Sequence, residues 1–118
     1  MQATFSPALV LAVTLSLFIG GCGLFTEQPA VLLPAPDLYA KGNYDLERKR
    51  YEDARASFRK IVERFPNSSL APMARFLIGE AYYREAEFDK GMKEFEAFMA
   101  FYPRHYIADL AQYRLAMS

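Results

Sequence analysis

"LIGEAYYREAEFDKGMKEFEAFMAFYP", residues 77 to 103, is the stretch that decides the fold of this chain. Extended back to Ala71, its first half "APMARFLIGEAYYREA" places apolar side chains at Ala74, Ile78, Ala81 and Tyr82, a helical spacing. Its second half sets Phe88, Met92, Phe95, Phe98, Met99 and Tyr102 on one broad apolar stripe, which predicts a second helix. Pro103 ends that helix, because proline supplies no backbone donor and clashes with the preceding turn. Two helices in succession, each with one buried face, must pack on each other.

The pair is repeated. An offset of 37 residues places Gly42 on Gly79, Tyr51 on Phe88, Phe58 on Phe95 and Pro66 on Pro103. The same offset places Ala71 on Ala108, Ala74 on Ala111 and Phe76 on Tyr113. A period of this size is the mark of a solenoid of helix pairs. "YEDARASFRKIVERFP", residues 51 to 66, supplies the second helix of the first unit, with Tyr51, Ala54, Phe58, Ile61, Val62 and Phe65 inward. The small residue in each second helix, Ala54 or Gly91, lets paired helices approach, while Phe58 and Phe95 fill the space between pairs. The predicted fold class is all-α, with two repeats and the first helix of a third, which opens at Ile107 and runs to Ser118. A solenoid needs a capping element over its last apolar face, and Leu110, Leu115 and Met117 are expected to lack one, so the chain reads as an N-terminal fragment.

Gly79, Tyr82, Phe88, Gly91, Phe95 and Pro103 resemble the pattern of the tetratricopeptide repeat, with Gly91 where alanine is usual. That resemblance implies a right-handed solenoid whose first helices line a groove. The groove positions are Tyr39, Asn43 and Leu46 in the first unit, Phe76, Glu80, Tyr83 and Arg84 in the second, and Tyr113 and Met117 in the third. Tyr39, Phe76 and Tyr113 share one repeat position, so stacked repeats would align them as an aromatic column. The pattern usually buries a large aromatic one position earlier, where this chain has Leu38, Arg75 and Gln112. Groove and core are therefore both open to the three rings.

Outside the repeats the chain changes character. The 118 residues hold fourteen basic and fourteen acidic side chains, one histidine (His105) and one cysteine (Cys22). A balanced charge argues against nucleic acid as a partner. A single cysteine cannot form an internal disulfide. "ALVLAVTLSLFI", residues 8 to 19, has the length of a signal-peptide apolar region and is shorter than the roughly 20 residues that span a bilayer. "IGGC", residues 19 to 22, follows it and resembles a bacterial lipobox, although "MQATFSP" before it lacks the usual Lys or Arg. That resemblance implies a signal peptide over residues 1–21 and acylation of Cys22. Several acyl chains on one residue anchor firmly where one anchors marginally. A retained signal anchor and a buried thiol are the other readings. Gly23 in place of aspartate is similar to lipoproteins sorted to the outer membrane. "GLFTEQPAVLLPAP", residues 23 to 36, contains Pro29, Pro34 and Pro36 and reads as an extended tether. Residues 22–36 therefore form the tether, and Asp37 reads as the N-cap opening the repeats at 37–118.

Lipobox, proline-containing tether and "PDLYAKG" (residues 36 to 42) leading into repeats together resemble the BamD-type outer-membrane protein assembly lipoproteins. The resemblance implies a non-catalytic scaffold on the periplasmic face of the outer membrane of a Gram-negative bacterium. Its implied partners are β-barrel assembly subunits and nascent outer-membrane proteins, and the membrane itself through Cys22. A division coordinator of the periplasm and a pilot lipoprotein of a secretion or pilus machine are the alternatives. The sequence shows no catalytic or metal constellation and implies no cofactor. His105 follows Pro103 in a loop and has no second histidine to work with, and Glu94 and Glu96 lie on different sides of their helix.

Overall fold

A computed structural model describes residues 32–118, and the signal, Cys22 and most of the tether lie outside the described residues. Five helices follow in order: α1 (Ala35–Glu47), α2 (Tyr51–Arg64), α3 (Ala71–Arg84), α4 (Phe88–Phe101) and α5 (Ala108–Met117). Substantial packing runs only between consecutive helices, α1 on α2, α2 on α3, α3 on α4 and α4 on α5. This is the all-α helix-pair solenoid that the 37-residue period predicts, and it is consistent with the tetratricopeptide resemblance.

One boundary differs from the reading above. Helix α1 begins at Ala35 with Pro34 as its cap residue, so Pro36 lies inside the first turn and Asp37 is not the N-cap. The first-turn N–H groups have no intrahelical acceptor, so proline loses nothing there. Asp37 instead places its charge near the positive end of the helix dipole.

The repeat is held by one contact made twice. A methyl-sized Cβ on Gly42 would sit 2.6 Å from the Phe58 ring, and one on Gly79 would sit 2.7 Å from the Phe95 ring. Phe58 and Phe95 are fully buried. The glycines are therefore seats for rings, and their role is close approach. Beside them, Ala54 is fully buried and its counterpart Gly91 faces the Gly79 carbonyl, where a Cβ would lie 3.3 Å from the oxygen. The turns match as well. Lys49 and Ala86 both adopt left-handed backbone, with φ of 61° and 64°, and each sits between the two helices of its unit. Second helices stop at Phe65 and Tyr102, with φ and ψ of −127° and 51° in the first and −131° and 55° in the second.

Two apolar clusters result. The first joins Leu38, Leu46, Phe58, Ile61 and the alanines Ala71, Ala74 and Ala81. The second joins Phe76, Phe95, Phe98, Ile107 and Ala111. Phe88 is an exception to the predicted stripe, being exposed and edge-on to Tyr83 at 5.2 Å between ring centres. Of the three side chains expected to lack cover on α5, Leu110 and Met117 are exposed, whereas Leu115 packs against the second cluster.

Candidate functional site

The aromatic column does not form. Phe76 is 4% exposed and packs on Phe95 and Phe98, at 5.3 and 5.9 Å between ring centres. Tyr39 is half-buried and meets Phe58 edge-on at 6.0 Å. Tyr113 is 54% exposed. The first two rings serve the interior of their own repeats, taking the place of the large aromatic that the pattern puts one position earlier. Leu46 is also buried, so neither it nor Phe76 lines a surface. Asn43 is half-buried and donates from Nδ2 to the Tyr39 carbonyl at 3.1 Å, which fixes its amide.

Three of the remaining predicted residues, Glu80, Tyr83 and Arg84, come together around a buried carboxylate. Glu80 is 3% exposed, on the face of α3 that meets α5. Arg114 of α5 donates to both of its oxygens, from Nε to Oε1 and from Nη2 to Oε2 at 3.2 Å. Such a bidentate pair adds orientation to energy. The hydrogen bond to Glu80 is the main cause that holds the Arg114 guanidinium above its already high ordinary pKa. Arg84, one helical turn after Glu80, keeps its Nε 3.7 Å from Oε2 and is half-exposed. The Arg114 guanidinium also lies over the Tyr83 ring, 4.9 Å from its centre. One carboxylate thus faces two guanidiniums, and a positive charge is left on a surface edged by Tyr83 and Phe88. Chemically that surface offers planar N–H donors beside aromatic faces, which suits carboxylate or carbonyl groups flanked by rings.

Sequence reasoning missed Arg114. Its counterparts one and two periods earlier are Leu77 and Ala40, so nothing in the repeat pattern points to it. Glu80 was a groove candidate there, and the structure makes it the internal acceptor of the arginine pair. The first repeat keeps its own buried acid elsewhere. Asp45 is 1% exposed and receives Lys41 Nζ at 2.6 Å and Arg50 Nη2. The Lys41 hydrogen bond, helped by both positive charges, holds the Asp45 carboxyl below its ordinary 3.8 against the opposing effect of burial. Between repeats, Arg55 donates to Glu85 at 2.5 Å and stacks on Tyr82 at 4.1 Å. Arg59 donates to the Tyr82 hydroxyl at 2.6 Å.

Cys22 lies outside the described residues, so its acylation is not addressed by this geometry. Among the described residues no helix is long and apolar enough to cross a membrane.

Comparison with known proteins agrees with this architecture. Residues 33–118 match the YfiO family model, described as outer membrane lipoprotein. The chain is 24% identical over 104 residues to the outer membrane protein assembly factor BamD of Rickettsia prowazekii, covering 88% of this chain and 41% of that protein. It is 28% identical over 105 residues to BamD of Xylella fastidiosa strain Temecula1, covering 86% of this chain and 36% of the relative. The BamD of Neisseria gonorrhoeae is 27% identical over 110 residues, covering 89% of this chain and 41% of the relative. The chain therefore spans about 40% of the length of these curated relatives. With repeats, buried acids and family model covering the same residues, the chain belongs to the YfiO family of outer membrane lipoproteins.

Proposed function

We propose that this chain is a non-catalytic, lipid-anchored scaffold that helps assemble β-barrel proteins into the outer membrane. In this reading Cys22 bears the acyl chains and residues 23 to 34 act as the tether. The repeats then stand at the periplasmic face of the outer membrane. Confinement by the tether raises the local concentration of repeats at the membrane without any added contact. The face formed by Tyr83, Arg84, Arg114 and Tyr113 meets an extended segment of a barrel precursor or of a partner subunit. Rings supply area, and the guanidiniums meet its carbonyl or carboxylate groups. Asn43, held by the Tyr39 carbonyl, borders the first repeat's share of that face. The observation that carries the reading is the family match over residues 33–118. The half-exposed Arg84, within 3.7 Å of the Glu80 carboxylate, is consistent with a docking role.

The test is affinity purification of the acylated protein from outer membranes. Recovery of a barrel-forming assembly subunit, reduced by Arg84→Ala combined with Tyr113→Ser, is the expected result. Recovery of a secretin ring instead would replace this reading with that of a pilot lipoprotein.

A further inference from the structure

The turn that leads from α2 into α3 and the turn that leads from α4 into α5 share one backbone and differ in what they display. The Ser68 and His105 N–H groups donate to the carbonyls of Phe65 and Tyr102, at 2.9 and 3.1 Å. The Ala71 and Ala108 N–H groups donate in turn to the carbonyls of Ser68 and His105, at 3.1 and 2.8 Å. Even the side-chain contact is kept: Ser68 Oγ accepts the Leu70 N–H at 3.2 Å, and His105 Nδ1 accepts the Ile107 N–H at 3.4 Å. At the offset of 37, however, Phe101, Arg104, His105 and Tyr106 stand where the first turn has Arg64, Asn67, Ser68 and Ser69. The first turn therefore shows that this backbone needs no ring at these places. Phe101 and Tyr106 are 66% and 78% exposed, the two most exposed large apolar or aromatic side chains among the described residues. Phe101 rests on the Arg75 guanidinium, 4.6 Å from its ring centre, and Tyr106 rests on the His105 ring at 4.5 Å.

Topology says what these rings face. Consecutive helices that pack together across short turns run antiparallel. The start of α1 and the turns before α3 and α5 therefore share one end of the array, and Lys49 and Ala86 lie at the other. The contact of Arg75 with Phe101 at the first end, and of Arg55 with Glu85 at the second, agrees with this. The aromatic turn thus lies at the end where the chain enters α1 at Ala35. On the anchored reading, residues 23 to 34 join that entry point to the acylated Cys22. A stretch of that length spans at most about 40 Å, which keeps this end of the array close to the bilayer. The chemistry of the turn suits that neighbour. No acidic side chain occurs from Ala97 to Ala108, and Arg104 and His105 lie between the two rings. Rings with polar tips and cations beside them match the bilayer interface, where the ring enters the acyl boundary and the cation meets a phosphate.

We propose that the turn from Phe101 to Tyr106 dips into the head-group region of the bilayer that anchors the chain, with both rings at the acyl boundary and Arg104 on a lipid phosphate. This rests on the anchored reading above and adds to it a second, non-covalent contact that orients the repeats on the membrane. The chain has no tryptophan, so Tyr106→Trp places a single fluorescent reporter at an exposed position. Tyr44→Trp, 50% exposed and near the other end of the array, is the control. The full chain is purified from outer membranes and placed in vesicles of three parts phosphatidylethanolamine to one part phosphatidylglycerol, brominated near the head group. The expected result is blue-shifted emission from Tyr106→Trp, quenched more than about threefold as strongly as that of Tyr44→Trp. Adding Phe101→Ser to Tyr106→Trp should weaken the quenching by about twofold. Water-like, unquenched emission from Tyr106→Trp would overturn the proposal whatever the state of Cys22, and so would equal quenching at the two positions. An emission shift that comes only on adding a protein to the vesicles would overturn it in favour of a protein partner. The mass of the peptide holding Cys22 reads the anchor separately. Quenching on an unacylated chain supports the turn and sinks the anchor, and its absence on an acylated chain does the reverse.

Discussion

The first helix pair and the second share a backbone and differ in how each satisfies its buried acid. In the first, Asp45 is served by Lys41 and Arg50 from the same repeat. In the second, Glu80 is served chiefly by Arg114 from the next one. The first unit closes its electrostatics on itself, whereas the second leaves them to its neighbour. The difference teaches that ring seat, small contact residues and caps define the unit, and that charged positions decide how units join and what they show to partners.

The largest effect will test whether the two ring seats are equivalent. Phe58→Ala and Phe95→Ala each remove a fully buried ring and should cost about 3–5 kcal/mol. Urea denaturation giving widely different losses for the two would break the equivalence. Next come the acids. Asp45→Asn and Glu80→Gln should each cost about 1.5–3 kcal/mol through lost charge-assisted hydrogen bonds. Arg114→Ala should reproduce the Glu80 loss and leave Asp45 untouched, which a double-mutant cycle reads directly. The pH dependence has a definite sign for Asp45. Its folded carboxyl titrates below the ordinary 3.8, so its contribution is complete above that value and is lost as pH falls through the lower folded one. Acid titration of Asp45→Asn should lack this component of the fall.

Gly79→Ala drives a methyl into a buried ring that has nowhere to move, and should cost about 1–3 kcal/mol. Adding Phe95→Leu should recover part of the loss. The smallest effect is expected at Gly91→Ala, where the new methyl meets a carbonyl at 3.3 Å. A helix-propensity gain of up to about 1 kcal/mol offsets that tightness, and Ala54 already occupies the same place in the first repeat. A thermal shift of more than a few degrees either way would show that the two small-residue contacts are not alike.

The helix pairs were legible because they rest on residues spaced by one helical period and repeated at one offset. Gly42 with Phe58 and Gly79 with Phe95 announce themselves twice. The beginning of α1 was less legible, because the proline that breaks a helix interior is tolerated within its first turn, as at Pro36. The site was legible only in part: Glu80, Tyr83 and Arg84 were singled out, Arg114 was not, and Phe76 and Leu46 are buried. Phe76 and Tyr113 occupy one repeat position, yet the first is enclosed by Phe95 and Phe98 and the second faces solvent. Whether such a ring is covered depends on the second helix that follows it, which is not a property of its own position. Arg114 escaped for a related reason. It is peculiar to its repeat, and comparison of repeats with one another reveals only what they hold in common.

The matching backbone at Phe65 and Tyr102 has a consequence for how such a protein changes over generations. Their dihedral angles agree within a few degrees, so the chain leaves each unit in nearly the same direction. A gene segment coding for one unit can therefore be duplicated or deleted between these points, and the next helix still arrives where its neighbour expects it. The array can lengthen by copying, and afterwards each copy is free to acquire its own arginine.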